Sequence, residues 1–157
     1  MTSISIEQER PDTDAAIQLI SELDHYLNEL PYTPESRHAF SIERLLREGV
    51  VFFVMRYEGE AVACGGVKLF DDYAEVKRMY VRPAYRGRGL GKGILNHLTE
   101  HARKNQLELL RLETGIYQSE AIKAYEAYGF KRRPPFSEYE ENPLSLYFEK
   151  SIAGRES

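Results

Sequence analysis

The sequence predicts a mixed α/β (α+β) fold: a central, mostly antiparallel twisted sheet with one parallel β-α-β joint and helices on both faces. Three observations predict it. Apolar, β-branched and aromatic runs between Val50 and Val81 are separated only by the short turns Glu58-Gly59-Glu60 and Asp71-Asp72, the pattern of an antiparallel meander. A helix-spaced stripe then lies between two strand-like runs, 73–81 and 107–113, and a strand–helix–strand unit of that length makes its strands parallel. Another helical stripe, Ala16, Ile20, Leu23, Leu27 and Leu30, precedes the meander.

In order along the chain, Ser3 to Glu9 alternates, with Ile4 and Ile6 on one side, as a short first strand does. Pro11-Asp12-Thr13-Asp14 carries turn and capping chemistry, so a helix is expected over 13–29, broken by Pro31 and Pro34. A second helix is expected over 35–47, with Ile42, Leu45 and Leu46 as its stripe and Gly49 as its stop. Strands follow over 50–57, 61–70 and 73–81, the last ended by Pro83. The chain then reads as a helix over 89–104, a strand over 107–113, a short helix over 119–128, a return toward the sheet at Gly129-Phe130, and a last strand over 144–150.

At 157 residues with a net charge of −4, the chain is expected to form one domain spanning 1–157 and not to bind nucleic acid. No apolar run approaches the roughly 20 residues of a membrane span. The lone cysteine, Cys64, sits in a small, apolar run and reads as buried filler in a protein of the reducing cytoplasm. His97 and His101 are spaced i, i+4 without a third ligand nearby, so no metal is expected.

The densest chemistry lies in Arg86-Gly87-Arg88-Gly89-Leu90-Gly91-Lys92-Gly93. Alternating glycines free the backbone for close approach, the basic residues favour an anion, and a helix start follows. It is not a P-loop: Arg86 stands where that motif needs glycine, and Gly93 where it needs Ser or Thr. Nor is it a dinucleotide fingerprint, whose third glycine position holds Lys92 or Ile94.

Val81, Pro83 and Arg86-x-x-Gly89-x-Gly91, followed by an amphipathic helix, resemble the acetyl-CoA-binding motif of the GNAT superfamily of N-acetyltransferases. Downstream, Ala121-x-x-x-Tyr125-x-x-x-Gly129-Phe130 resembles the second signature of that superfamily. Glu75 to Val81, Leu112 to Gly115, and Pro135-Phe136 with Tyr139, Pro143 and Ser145 resemble a subgroup of small bacterial single-domain members of undefined substrate.

The resemblance implies a sheet splayed at its parallel joint for acetyl-CoA, and it implies roles. Backbone N–H groups across Arg86, Gly87, Arg88, Gly89, Leu90, Gly91 and Lys92 would hold the pyrophosphate, with the Arg86 and Arg88 side chains adding charge. Main-chain groups of Met79, Tyr80 and Val81 would pair with the pantetheine arm, and Gln118 would bond it. Tyr125 would lie near the thioester sulfur and protonate the leaving thiolate. Glu75 or Glu113 would act as base on the amine; Lys77 shares a strand face with Glu75, and its charge would weaken that carboxylate as a base. Tyr32, Arg37, His38 and Tyr139, with Tyr26 and Phe136 nearby, are candidates for the acceptor side.

The activity so implied is acetyl transfer from acetyl-CoA to a primary amine of a small molecule, by direct attack in a ternary complex. A protein or peptide acetyltransferase and a non-catalytic acyl-CoA sensor are the alternatives. Dimers are common in the superfamily, so a homodimer is compatible with the resemblance.

Overall fold

The structure is a computed structural model and describes residues 3–33 and 41–153. Its centre is a seven-stranded sheet in the order β1-β2-β3-β4-β5-β7-β6: β1 (Ile4–Gln8), β2 (Val51–Tyr57), β3 (Glu60–Leu69), β4 (Ala74–Val81), β5 (Leu109–Gly115), β6 (Lys131–Arg132) and β7 (Ser145–Ser151). Every neighbouring pair is antiparallel except β4 and β5. The helices are α1 (Asp14–Asn28), α2 (Ile42–Arg47), α3 (Leu90–Lys104) and α4 (Ser119–Tyr128).

Local chemistry explains the boundaries. The Thr13 hydroxyl accepts from the Ala16 N–H to start α1, and the Ser41 hydroxyl accepts from the Arg44 N–H to start α2. Of the helix predicted over 35–47 the described residues hold α2, Ile42–Arg47, and 34–40 lie outside the described residues. A 3-10 turn over Pro83–Tyr85, which the sequence reading did not separate from the glycine loop, links β4 to that loop. The strand predicted over 107–113 begins two residues later: Gln106 takes a positive φ of 63°, and the Leu107 N–H is spent on the Ala102 carbonyl at the end of α3. β1 is an edge strand, and Ile4 on it is 49% exposed.

The two sheet faces bury separate cores. On one, α3 and α4 place Ile94, Leu95, Leu98 and Tyr125 over Val76, Leu110, Leu112 and Phe148. On the other, Leu19, Ile20 and Leu23 of α1 and Leu45 of α2 cover Phe52, Val54, Cys64 and Tyr80. A third, aromatic cluster joins Tyr73, Phe136 and Tyr147, with Tyr139 packed against it.

Among the described residues no helix is long and apolar enough to cross a membrane. Cys64 is buried, and burial pushes its thiol up to about 12, so it stays a thiol that donates to the Arg78 carbonyl at 3.4 Å.

Candidate active site

The site begins where two parallel strands part. β4 and β5 pair only at Ala74 with Leu110 and Glu75 with Arg111. Beyond that point β5 keeps β7 and β4 keeps β3 as neighbours, and a wedge opens between them.

A bulge in β4 sits in this stretch. Cys64 pairs with Tyr80 and Gly66 with Lys77, so Gly65 faces both Arg78 and Met79, and Arg78 takes a φ of 53°. The extra residue shifts the phase of the strand. Before it, Ala74 and Val76 belong to the α3 face; after it, Met79 and Val81 do, while Arg78 and Tyr80 turn to α1. The buried Arg78 guanidinium there bonds Asp24 and the Ile20 carbonyl, which anchors the strained residue.

The wedge runs into a cleft of about 890 Å³ bounded by the end of β4, the glycine loop, the start of α3 and one face of α4. Gly87 and Gly89 have φ of 81° and 78°, a conformation that costs any other residue strain. Gly89 is the N-cap of α3 and supplies no side-chain acceptor, so the N–H groups of the first turn stay available to an anion in the cleft. A Cβ on Gly91 would stand 3.6 Å from Val81 and 3.7 Å from Met79, so the start of α3 lies directly on the end of β4. These features fit an extended chain ending in phosphates: a narrow slot between strands, then a backbone cradle.

Met79, Tyr80, Val81, Arg86, Gly87, Gly89, Leu90, Gly91, Lys92, Gln118 and Tyr125 all line this cleft. Arg88 has its guanidinium 5.3 and 5.2 Å from the ring centroids of Tyr57 and Tyr85. Arg86 donates through Nε to the Val81 carbonyl at 2.9 Å, with its guanidinium toward Tyr26 and Tyr80. The two arginines of the loop thus part to opposite faces of the sheet.

Tyr125 is 7% exposed on α4, edge-on to Phe130 at 5.7 Å. Its hydroxyl bonds no described residue, although it borders the cleft. Burial first, and the charge of Glu113 second, push its ionisation far above the ordinary tyrosine range. It therefore keeps its proton at neutral pH, as a proton donor must.

The two candidate carboxylates have different surroundings. Glu113, on β5, accepts from the Ser145 hydroxyl at 2.9 Å, and burial raises its carboxyl to about 7. Such a carboxylate is balanced between its charged and neutral forms at working pH. Glu75 lies in the closed part of the joint, 2% exposed, and accepts from the Tyr139 hydroxyl at 2.6 Å and the Lys77 ammonium at 3.0 Å. The same Tyr139 hydroxyl accepts from Lys77 at 3.1 Å. Burial pulls the Lys77 ammonium down, with Glu75 pulling against it, and pushes the Tyr139 phenol up.

On the acceptor side, the Tyr32 hydroxyl packs on Gly115, accepts from the Tyr117 N–H at 3.0 Å and meets the Gln118 side chain. Tyr139 is held by Glu75 and Lys77. Arg37 and His38 lie outside the described residues. His97 and His101 put their rings edge-on to Phe53, and among the described residues no group of metal-ligating side chains gathers.

Sequence reasoning missed the contact between α3 and α4. Tyr128, at the end of α4, donates to the Asn96 side-chain amide oxygen Oδ1 at 2.7 Å and accepts from the Thr99 hydroxyl at 3.1 Å, closing one wall of the cleft. The i, i+3 spacing of Asn96 and Thr99 on a helix was its only trace in the sequence.

The sequence profile of the Acetyltransferase (GNAT) family matches residues 16–130. The chain is 41% identical over 154 residues to an IAA acetyltransferase of Azospirillum brasilense, covering 97% of this chain and 100% of that protein. It is 34% identical over 141 residues to the uncharacterized N-acetyltransferase YsnE of Bacillus subtilis, covering 86% and 93%. A solved Klebsiella pneumoniae structure assigned to the acyl-CoA N-acyltransferases is 33% identical, with a TM-score of 0.81 over 95% of this chain and 97% of that one. The PaiA N-acetyltransferase of Thermoplasma acidophilum, solved in complex with coenzyme A, shares the fold at 21% identity, with a TM-score of 0.77 over 95% and 99%. A profile match across most of the chain, and a relative aligned along nearly all of it, establish that this protein belongs to the Acetyltransferase (GNAT) family.

Proposed function

We propose that the protein, acting as a single domain in the cytoplasm, transfers an acetyl group from acetyl-CoA to a primary amine of a small molecule by direct attack in a ternary complex. The observation that carries this reading is the Tyr125 hydroxyl, protonated and without a hydrogen-bond partner among the described residues, on the same cleft as the Gly87–Lys92 cradle. PaiA, with coenzyme A bound in the same fold, supports the choice of donor.

In this reading the cradle holds the pyrophosphate, and the open edge of Met79 to Val81 pairs with the pantetheine arm as an added strand would. The amine nitrogen bonds to the acetyl carbon, and the carbon–sulfur bond breaks. Glu113 takes the proton the amine gives up. Tyr125 gives its own to the departing sulfur and is reprotonated from solvent. Glu113 is preferred to Glu75 as base because Glu75 is already bound by Lys77 and Tyr139 in the closed part of the joint. No covalent acyl-enzyme forms, since Cys64 is buried and its thiol is pushed up to about 12.

The test is thiol release from acetyl-CoA against a panel of small primary amines and peptide N-termini. Turnover of small amines supports the proposal. Turnover of peptides alone makes the protein a peptide acetyltransferase, and binding of acetyl-CoA with no turnover makes it a sensor; either overturns it.

A further inference from the structure

We infer that the Arg86 side chain is an acceptor-recognition group, and that the preferred acceptor is a short amine carrying a carboxylate. The inference rests on the amine-acetylation reading and deepens it.

Arg86 belongs to the glycine loop, yet its side chain leaves it. Its Nε donates to the Val81 carbonyl at 2.9 Å, which fixes the guanidinium at the very end of β4. The guanidinium carbon lies 6.0 Å from the ring centroids of both Tyr26, on α1, and Tyr80. Both rings pack with the core on the face opposite α3. Arg88 goes the other way, to Tyr57 and Tyr85, which pack with the α3 core. Lys92 and the N–H groups of the α3 first turn are therefore left to the phosphates, and Arg86 faces the α1 side of the same cleft, beside Leu23 and Tyr26.

Charge separates Arg86 further from its neighbours. The other cations of β4 and its exit each hold a carboxylate: Lys77 holds Glu75, Arg78 holds Asp24, and Arg82 holds Glu22 through two of its nitrogens. Among the described residues the two loop arginines, Arg86 and Arg88, hold none; Arg88 lies on the α3 face, and on the α1 face the two terminal nitrogens of Arg86 make no hydrogen bond. Aromatic rings near a guanidinium orient it without using its in-plane donors. What remains is a paired donor edge of the shape that carboxylates fit in bidentate fashion.

Position fixes the size of the acceptor. A strand advances about 3.3 Å per residue, so the Val81 carbonyl that anchors Arg86 lies roughly 3 to 7 Å along β4 from the N–H groups of Tyr80 and Met79. The Tyr80 N–H points to β3 as that of Arg82 does, so in the proposed reading it is the edge around Met79 that the thioester carbonyl would meet. A carboxylate on Arg86 thus leaves room for only a few bonds before the attacking amine, the span of a small amino acid.

The experiment uses matched acceptors, a short amino acid and its amide, with the wild-type protein and the variants Arg86→Met and Arg86→Lys. The wild type is expected to favour the acid by roughly 10- to 100-fold in kcat/KM, the range for a charge-assisted bidentate contact. Arg86→Met is expected to erase that preference while changing the KM for acetyl-CoA by less than about twofold. Arg86→Lys keeps the charge but not the fork, and is expected to restore only part of the preference.

Absence of an acid preference in the wild type overturns the inference and leaves amine acetylation standing. So does an Arg86→Met variant that raises the KM for acetyl-CoA equally with both acceptors, since the side chain then serves the donor. Failure to turn over any amine overturns both readings. Should the variants melt early, product inhibition of the wild type decides: the N-acetylated acid must compete with the amine at least about tenfold better than the N-acetylated amide, and equal competition overturns the inference.

Discussion

In the proposed mechanism Tyr125 and Glu113 divide the two proton transfers, and each has the environment its part would require. The buried phenol keeps its proton, and Tyr125→Phe is expected to lower kcat by about 10²-fold or more, the scale of a positioned general acid. Acetyl-CoA binding measured by titration calorimetry should stay within a few-fold, because only the hydroxyl is lost. Glu113, raised to about 7, must be ionised to accept a proton, so kcat/KM for the acceptor should climb with pH through about 7. Glu113→Gln should lower the rate and remove that limb from the profile.

The same carboxyl links pH to stability. Its folded-state value lies above its ordinary 4.5, so the folded protein binds the proton more tightly than the unfolded chain. The stabilisation is complete below about pH 4.5 and is lost as pH rises through about 7, up to about 3 kcal/mol in all. Urea unfolding of Glu113→Gln should show a flatter dependence across that window. Tyr125 was legible in the sequence because its motif is local: Ala121, Tyr125 and Gly129-Phe130 lie on one short helix and its end. Ser145, the partner of Glu113, was not legible in that role. The contact spans 32 residues of sequence and exists only because β5 and β7 pair in the register that sets Glu113 opposite Tyr147.

At the scale of elements, the proposed reading makes the joint between β4, the glycine loop and α3 the part that decides donor binding. Adding a Cβ at Gly89 meets no atom within 4 Å, so Gly89→Ala costs only the strain of its φ of 78°, about 1–2 kcal/mol in urea unfolding. In the proposed reading the same methyl would stand in the cradle that holds the donor's phosphates. Acetyl-CoA affinity should therefore fall by more than stability does, and equal losses would assign Gly89 a folding role alone. Gly65 is the contrasting case. A Cβ there would come within 2.8 Å of Ile94 and 3.3 Å of Met79, so Gly65→Ala should destabilise by roughly 1–3 kcal/mol by pushing α3 off the sheet. Hydrophobic period and turn residues made these elements readable. The direction of the Arg86 side chain was not, because the 3-10 turn at Pro83–Tyr85 sets it and no periodicity encodes that turn.

Across the whole molecule, the α1 core and the α3 core lie on opposite faces of the sheet, and the cleft is built at the line where that sheet is least complete. Occupying it should stabilise the protein broadly. At a donor concentration a hundred times its Kd, the gain is about 2.7 kcal/mol. For a chain of this length that is a rise in Tm of roughly 5–10 °C. A thermal scan with acetyl-CoA checks this, and no shift would remove the donor assignment. The fold class was legible from the order of the strands, since a meander followed by strand–helix–strand admits few arrangements. The bulge was not. Arg78 is an ordinary strand residue by type, and its φ of 53° follows from the mismatch of β3 and β4 around Gly65 and from the grip of Asp24.

The parting of β4 and β5 also has a consequence for amide hydrogen exchange. Past Glu75 and Arg111 each strand has a ladder on its outer side only, so amides on the facing inner edges lie at the centre of the sheet without a strand acceptor. In the empty protein these amides of β4 should trade deuterium at rates usual for loops, while neighbours bonded to β3 remain protected. Addition of acetyl-CoA should slow them selectively, within Met79 to Val81, so the middle of the sheet reports donor occupancy before any acceptor is known.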